Sequence, residues 1–171
     1  MKQKFIDYYM DVADRTSKLS HAVRLQVGAV IVKDNRILSY GYNGMPAGWD
    51  NNCEEKVYPD HYLGDYEQHY DEFDAKFPLR DEENKPYHLK TKPEVLHAET
   101  NAIAKVSGST ESSEDATMFC THAPCLQCAK LIYQSGINNL YYRNTYRDDA
   151  GLEFLTKSGV NVTKYSTQDR T

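Results

Sequence analysis

From residue 97 onward the chain repeats one pattern three times: a helical stretch, a glycine, then a short apolar strand. The units are His97–Val106, Gly108 and Ala116–Cys120; then Cys125–Gln134, Gly136 and Leu140–Tyr142; then Ala150–Lys157, Gly159 and Val160–Thr163. Helices and strands that alternate over short links require parallel neighbouring strands joined by right-handed crossovers. A glycine just past each helix predicts a left-handed terminator at all three positions. Upstream, VGAVIVK (Val27–Lys33) and RILSYGY (Arg36–Tyr42) flank Asp34-Asn35 and predict an antiparallel hairpin. Phe5, Tyr9, Val12 and Ala13 fall at helical spacing and predict an amphipathic first helix. The expected fold is α/β: a mixed five-stranded sheet, opened by the hairpin and parallel beyond it, with helices on both faces.

Residues 45–95 interrupt this scheme with a tyrosine-rich, acidic texture and five of the six prolines. Within them Tyr62, Tyr66, Tyr70, Phe73 and Phe77 recur every three or four residues after Pro59. That spacing predicts an inserted helix whose aromatic stripe packs on the main body or on another subunit, with substrate stacking the lesser reading. Residues 1–171 thus make one domain carrying an insertion at about 45–95. The net charge of −5 is a poor match for a nucleic-acid backbone, but it leaves room for a small anionic substrate held by a few local donors. No apolar run reaches membrane-spanning length, and Met1–Phe5 lacks the pattern of a secretory leader, so the expectation is a cytoplasmic protein without membrane partners.

The chemistry concentrates in His97-Ala98-Glu99 and Pro124-Cys125-Leu126-Gln127-Cys128. A C-x-x-C pair in such a chain favours metal or redox chemistry over a structural disulfide. Zinc takes imidazole nitrogen and thiolate sulfur, and a catalytic zinc uses three protein ligands and leaves a position for water. His97, Cys125 and Cys128 supply three such ligands, each group opening a predicted helix whose positive dipole end favours thiolates. Glu99, two residues past His97, is placed to move protons beside the metal without ligating it. A redox C-x-x-C would leave the His-x-Glu triplet without a role. The two halves in this order, with Pro124 before the first cysteine, match the H-x-E…P-C-x-x-C signature of zinc deaminases.

HAETNAI (His97–Ile103) and Pro124-Cys125-x-x-Cys128-Ala129-Lys130 resemble the cytidine deaminase superfamily, and most closely its deoxycytidylate deaminases. The resemblance extends to VGAVIV (Val27–Val32), GYNGMPAG (Gly41–Gly48), Cys53 and QSGI (Gln134–Ile137), and covers most of residues 5–165. Thr100 departs from the family's usual leucine. The resemblance implies a three-layer α/β/α cytidine-deaminase-like fold and hydrolysis of dCMP to dUMP with loss of ammonia, feeding dTMP synthesis. It implies further a homohexamer activated by dCTP and inhibited by dTTP, with Mg2+ accompanying the effector, in the host cytoplasm if the chain is phage-encoded. Asn43 and Tyr146 match residues that face the bound nucleotide, and Arg143 and Arg147 flank Tyr146 as candidate phosphate contacts. Some phage relatives carry a second, structural zinc. Cys53 matches one of its ligands, Ala22 replaces another with His21 beside it, and His88, with His61 or His69, is a candidate to complete the set. The glycine-rich loop after Gly41 suits either a plain turn or a phosphate cradle of backbone N–H groups. Two alternatives remain beside this reading: a deaminase of another cytidine or deoxycytidine compound, and a non-catalytic zinc-stabilised nucleotide sensor.

Overall fold

In the computed structural model, which describes residues 1–59 and 70–166, the first helix α1 (Gln3–Ser17) buries Ile6, Tyr9, Met10 and Ala13 along one stripe. Strands β1 (Gly28–Lys33) and β2 (Arg36–Tyr42) form the expected hairpin. Asp34 and Asn35 sit in its turn at φ of 52° and 58°, the double left-handed geometry that matches strand twist and that Asp and Asn tolerate. After the insertion, helix α3 (Ala98–Ser107) leads into β6 (Thr117–His122), α4 (Leu126–Gln134) into β7 (Asn139–Asn144), and α5 (Ala150–Lys157) into β8 (Asn161–Lys164). The five-stranded sheet has the order β2-β1-β6-β7-β8. β1 runs antiparallel to both β2 and β6, whereas β6, β7 and β8 are parallel.

Strand β1 shows why the sheet is covered on both sides. Its alternate residues Ala29 and Ile31 pack with Ala98 and Ala102 of α3, Ala129 and Ile132 of α4 and Leu155 of α5. Val30 and Val32 face the other way, onto the α1 stripe with Phe119 and Tyr165. A strand buried on both faces reads as a continuous apolar run, as VGAVIVK does. Among the described residues no helix is long and apolar enough to cross a membrane.

The elements around the helix starts lie so close that Gly41 and Gly151 leave no room for a side chain. A Cβ on Gly41 would stand 2.1 Å from the Ala98 carbonyl oxygen, and one on Gly151 would stand 2.1 Å from that of Pro124. Gly41→Ala therefore pushes the first turn of α3 off β2. The expected result is a loss of about 1–3 kcal/mol, the usual cost of overpacking, read as a lower thermal midpoint.

The structure overturns the sequence expectation at one glycine and adds detail within the insertion. Gly136 and Gly159 adopt the left-handed conformation, at φ of 75° and 83°, but Gly108 does not. It caps α3 at φ −87°, its N–H closing on Ala104 and Val106, so the chain leaves that helix without a left-handed residue. The insertion also contains an unforeseen three-stranded antiparallel sheet of order β3-β5-β4, from β3 (Glu54–Val57), β4 (Leu79–Arg80) and β5 (Pro86–Thr91). Its strands are short and carry charges such as Glu55, Lys56 and Lys90, which hide the period-two signal. Finally, the inserted helix α2 is Tyr70–Lys76, and the earlier stripe residues Tyr62 and Tyr66 lie outside the described residues. Phe73 meets Phe77 with ring centroids 5.1 Å apart, and Phe77 packs on His88 at 5.2 Å, so this part of the stripe is packing.

Candidate active site

His97 is the N-cap of α3 and Cys125 the N-cap of α4, with Cys128 in the first turn of α4. The fully buried Pro124 sets that start, and the bare face of Gly151 lets α5 sit on it. Two helix amino termini therefore converge at the end of β6. The donor atoms of His97, Cys125 and Cys128 all lie within 4.8 Å of one another, the only such group among the described residues. His97 Nδ1 faces both sulfurs, at 3.7 Å from Cys125 and 3.3 Å from Cys128. Tetrahedral zinc with bonds of about 2.0–2.3 Å sets its donors roughly 3.5 Å apart, so these residues fit the ion.

The three donors share protons. Hydrogen bonds from Cys128 and then His97 pull the Cys125 thiol down to about 3. The same bond to Cys125, with burial, holds Cys128 up. His97 is raised mainly by its hydrogen bond to Cys125, and further by the nearby Glu99 charge. Glu99 is only 4% exposed, and burial pushes its carboxyl above the usual range. It is thus a carboxyl able to hold and return a proton near the three metal donors.

A cavity of about 430 Å³ opens beside this group, and His97, Glu99 and Cys125 form part of its wall. Asn43, Tyr146 and Arg147 line it as well. Asn43 is heavily committed, since its Oδ1 accepts the Val27 N–H at 2.8 Å and its Nδ2 donates to the Leu25 carbonyl at 2.8 Å. That pair of bonds ties the loop before β1 to the end of β2. Gly44 is committed too, donating to the Leu96 carbonyl at 3.1 Å and accepting from the Leu96 N–H at 2.9 Å.

Arg143 does not line the cavity. Two-residue alternation along β7 puts it with Tyr141 on the α1 side, where it pairs with Asp14 at 2.5 Å and lies over the Tyr165 ring at 5.0 Å. Nor do His21, Cys53 and His88 gather. Cys53 is buried against Ala22 and Val95, with Sγ 3.5 Å from the Asn51 carbonyl oxygen. His21 is exposed and His88 packs at a tilt on Phe77, while His61 and His69 lie outside the described residues. Among the lining residues that the sequence did not single out are Arg24, Glu54, Thr91 and His122. His122 was within reach, because it precedes Ala123-Pro124-Cys125 directly. The other three reach the cavity only through the folding of the insertion and the loop before β1.

Residues 3–144 match the family model described as the cytidine and deoxycytidylate deaminase zinc-binding region. The chain is 36% identical over 167 residues to the deoxycytidylate deaminase of Enterobacteria phage T4, covering 90% of this chain and 86% of that one. It is 35% identical over 165 residues to the deoxycytidylate deaminase of Homo sapiens, covering 93% and 78%. Among solved structures it resembles the dCMP deaminase of cyanophage S-TIM5 in complex with dCMP and dUMP. That likeness has a TM-score of 0.75 at 36% identity, over 96% of this chain and 99% of that one.

Proposed function

The chain belongs to the cytidine and deoxycytidylate deaminase family, and from that premise we propose that it hydrolyses dCMP to dUMP with release of ammonia. The observation that carries the reaction type is the buried Glu99 carboxyl sharing one cavity wall with His97 and Cys125, two of the three clustered donors. Likeness over nearly the whole chain to proteins named for dCMP supports the substrate.

When held by His97, Cys125 and Cys128, zinc supplies a Lewis acid that makes water acidic near neutral pH. Glu99 does the proton work. As a carboxylate it takes a proton from the attacking water and passes it to the ring nitrogen beside the amino-bearing carbon. It then takes the second proton of that water, from the hydroxyl now bonded to the ring carbon, and hands it to the departing amino nitrogen. Water's oxygen becomes the new ring carbonyl and ammonia leaves, so the atoms balance. A carboxyl that burial already holds up suits a group that must give the proton back.

Tyr146 and Arg147 serve the nucleotide from the cavity wall, Arg147 as a phosphate contact, while Asn43 shapes that wall by holding the loop before β1. Arg147→Ala is expected to raise KM for dCMP by about tenfold or more with little change in kcat. Arg143→Ala should leave KM alone, since Arg143 clamps α1 instead. The wider reading, carried by family resemblance, is a cytoplasmic homohexamer that supplies dUMP for dTMP synthesis. It is activated by dCTP, inhibited by dTTP, and uses Mg2+ with the effector. Solution mass and dCMP turnover with each triphosphate added singly test that part.

The decisive test of the reaction is ammonia release by zinc-loaded protein from dCMP, CMP, deoxycytidine and cytidine side by side. Preference for dCMP supports the proposal. Preference for another of the four replaces the substrate, and inertness toward all of them with zinc bound leaves a nucleotide sensor.

A further inference from the structure

Besides Glu99, the cavity has one other acidic residue in its wall, Glu54, the first residue of β3. Glu54 is 4% exposed. Its Oε1 accepts two backbone N–H groups, from Val23 at 3.1 Å and Arg24 at 3.2 Å. Its Oε2 is buried and has no hydrogen-bond partner among the described residues. A buried acceptor without a donor is costly, and an ionised carboxylate oxygen can only accept. The residue that fills it must bring a donor.

We propose that Glu54 is a specificity-determining residue whose Oε2 accepts a hydrogen bond from the 3′-hydroxyl of the bound nucleotide. The inference rests on the reading of the chain as a dCMP deaminase and deepens it. A nucleotide offers three parts to the wall. The amino-bearing edge of the base belongs with Glu99 and the metal donors. The phosphate is an anion, repelled by a carboxylate and matched instead by Arg24 and Arg147 in the same wall. That leaves the sugar, and on a 2′-deoxy sugar the 3′-hydroxyl is the neutral donor. Asn43, a further polar side chain of the wall, already holds Val27 and Leu25 with the two ends of its amide.

The acceptor is also held in place before any ligand arrives. The two N–H groups on Oε1 fix the carboxylate plane, and Arg24, whose N–H is one of them, is itself tied through Nη1 to Thr91 Oγ1 at 3.2 Å. The carboxylate is therefore ordered before a ligand arrives, and only the cover over the buried Oε2 must give for a hydroxyl to reach it, which keeps the cost of a discriminating hydrogen bond low.

The test compares dCMP with 2′,3′-dideoxycytidine 5′-monophosphate by kcat/KM in the wild-type protein, Glu54→Gln and Glu54→Asp. The Gln variant keeps an oxygen for the two N–H groups but swaps the free acceptor for a donor. The Asp variant keeps the charge and draws the acceptor back. Wild type should prefer dCMP by about 10–100-fold, the worth of a hydrogen bond to a charged group. In both variants that preference should shrink by about tenfold, with turnover of the dideoxy compound within about threefold of wild type. Calorimetric binding of dUMP and its 3′-deoxy analogue is the second arm. A wild type without the preference overturns the proposal. So do variants that keep it, or variants that weaken both compounds alike, as a purely structural loop clamp would. A protein that turns over no dCMP at all defeats the assigned reaction instead, and the binding arm still decides whether Glu54 reads the hydroxyl.

Discussion

Replacing Glu99 by glutamine is expected to lower kcat for dCMP by about ten-thousand-fold, the upper end of what a positioned acid–base group contributes, because this one carboxyl serves every proton transfer in the reaction. The substitution keeps the shape of the side chain and removes its ability to give and take a proton. Zinc content should not change, since Glu99 is not one of the three clustered donors. Stability should hold or rise, because burial penalises the carboxylate form and a neutral amide escapes that penalty. Kinetics, metal analysis and thermal unfolding together separate the roles. A rate within tenfold of wild type would remove Glu99 from the mechanism, and a parallel loss of zinc would make it structural.

Removing zinc should have an effect of comparable size. Dialysis against a chelator is expected to abolish turnover and lower the unfolding midpoint, and zinc added back should restore both. The acid side of this prediction follows from the proton sharing. Zinc needs both sulfurs as thiolates and His97 Nδ1 free of a proton. In the metal-free site Cys125 is already a thiolate at neutral pH, Cys128 is held up as a thiol, and His97 is raised above its ordinary value. Binding must therefore expel the Cys128 proton and, below the His97 range, the imidazole proton as well. Affinity should fall as pH falls, with roughly one proton released per zinc on the alkaline side of His97 and roughly two on the acid side. Calorimetry in two buffers of different ionisation enthalpy counts those protons. A pH-independent affinity would refute the ligand set.

The parts of the molecule that sequence made legible are those governed by local rules. Asp34-Asn35 between two β-rich runs specified the hairpin, and the observed β2 spans the same Arg36–Tyr42 that the pattern outlines. The clustering of His97, Cys125 and Cys128 was legible because His97 and Cys125 each sit where a loop becomes a helix. Arg143 and Arg147 looked equivalent beside Tyr146, yet strand parity separates them, and counting by twos from Leu140 and Tyr142 would have put Arg143 on the α1 face. Gly108 shows the limit of a composition rule, because a helix can also end without leaving right-handed space. Glu54 and Arg24 were beyond reach. Their role depends on contacts across about thirty residues, made by short charged strands that carry neither helical nor strand periodicity.

The insertion has one more bearing. It leaves the chain after β2 and returns just before α3, and on the way it supplies Glu54, Thr91 and Val95 to the cavity. Glu99 and the clustered His97, Cys125 and Cys128 come instead from the helix starts that Gly41 and Gly151 lock against the sheet and each other. Part of the pocket wall is thus carried by a stretch of chain separate from the helix starts. On the proposed function, changes confined to residues 45–95 are expected to alter how the sugar is read and to leave the reaction type unchanged.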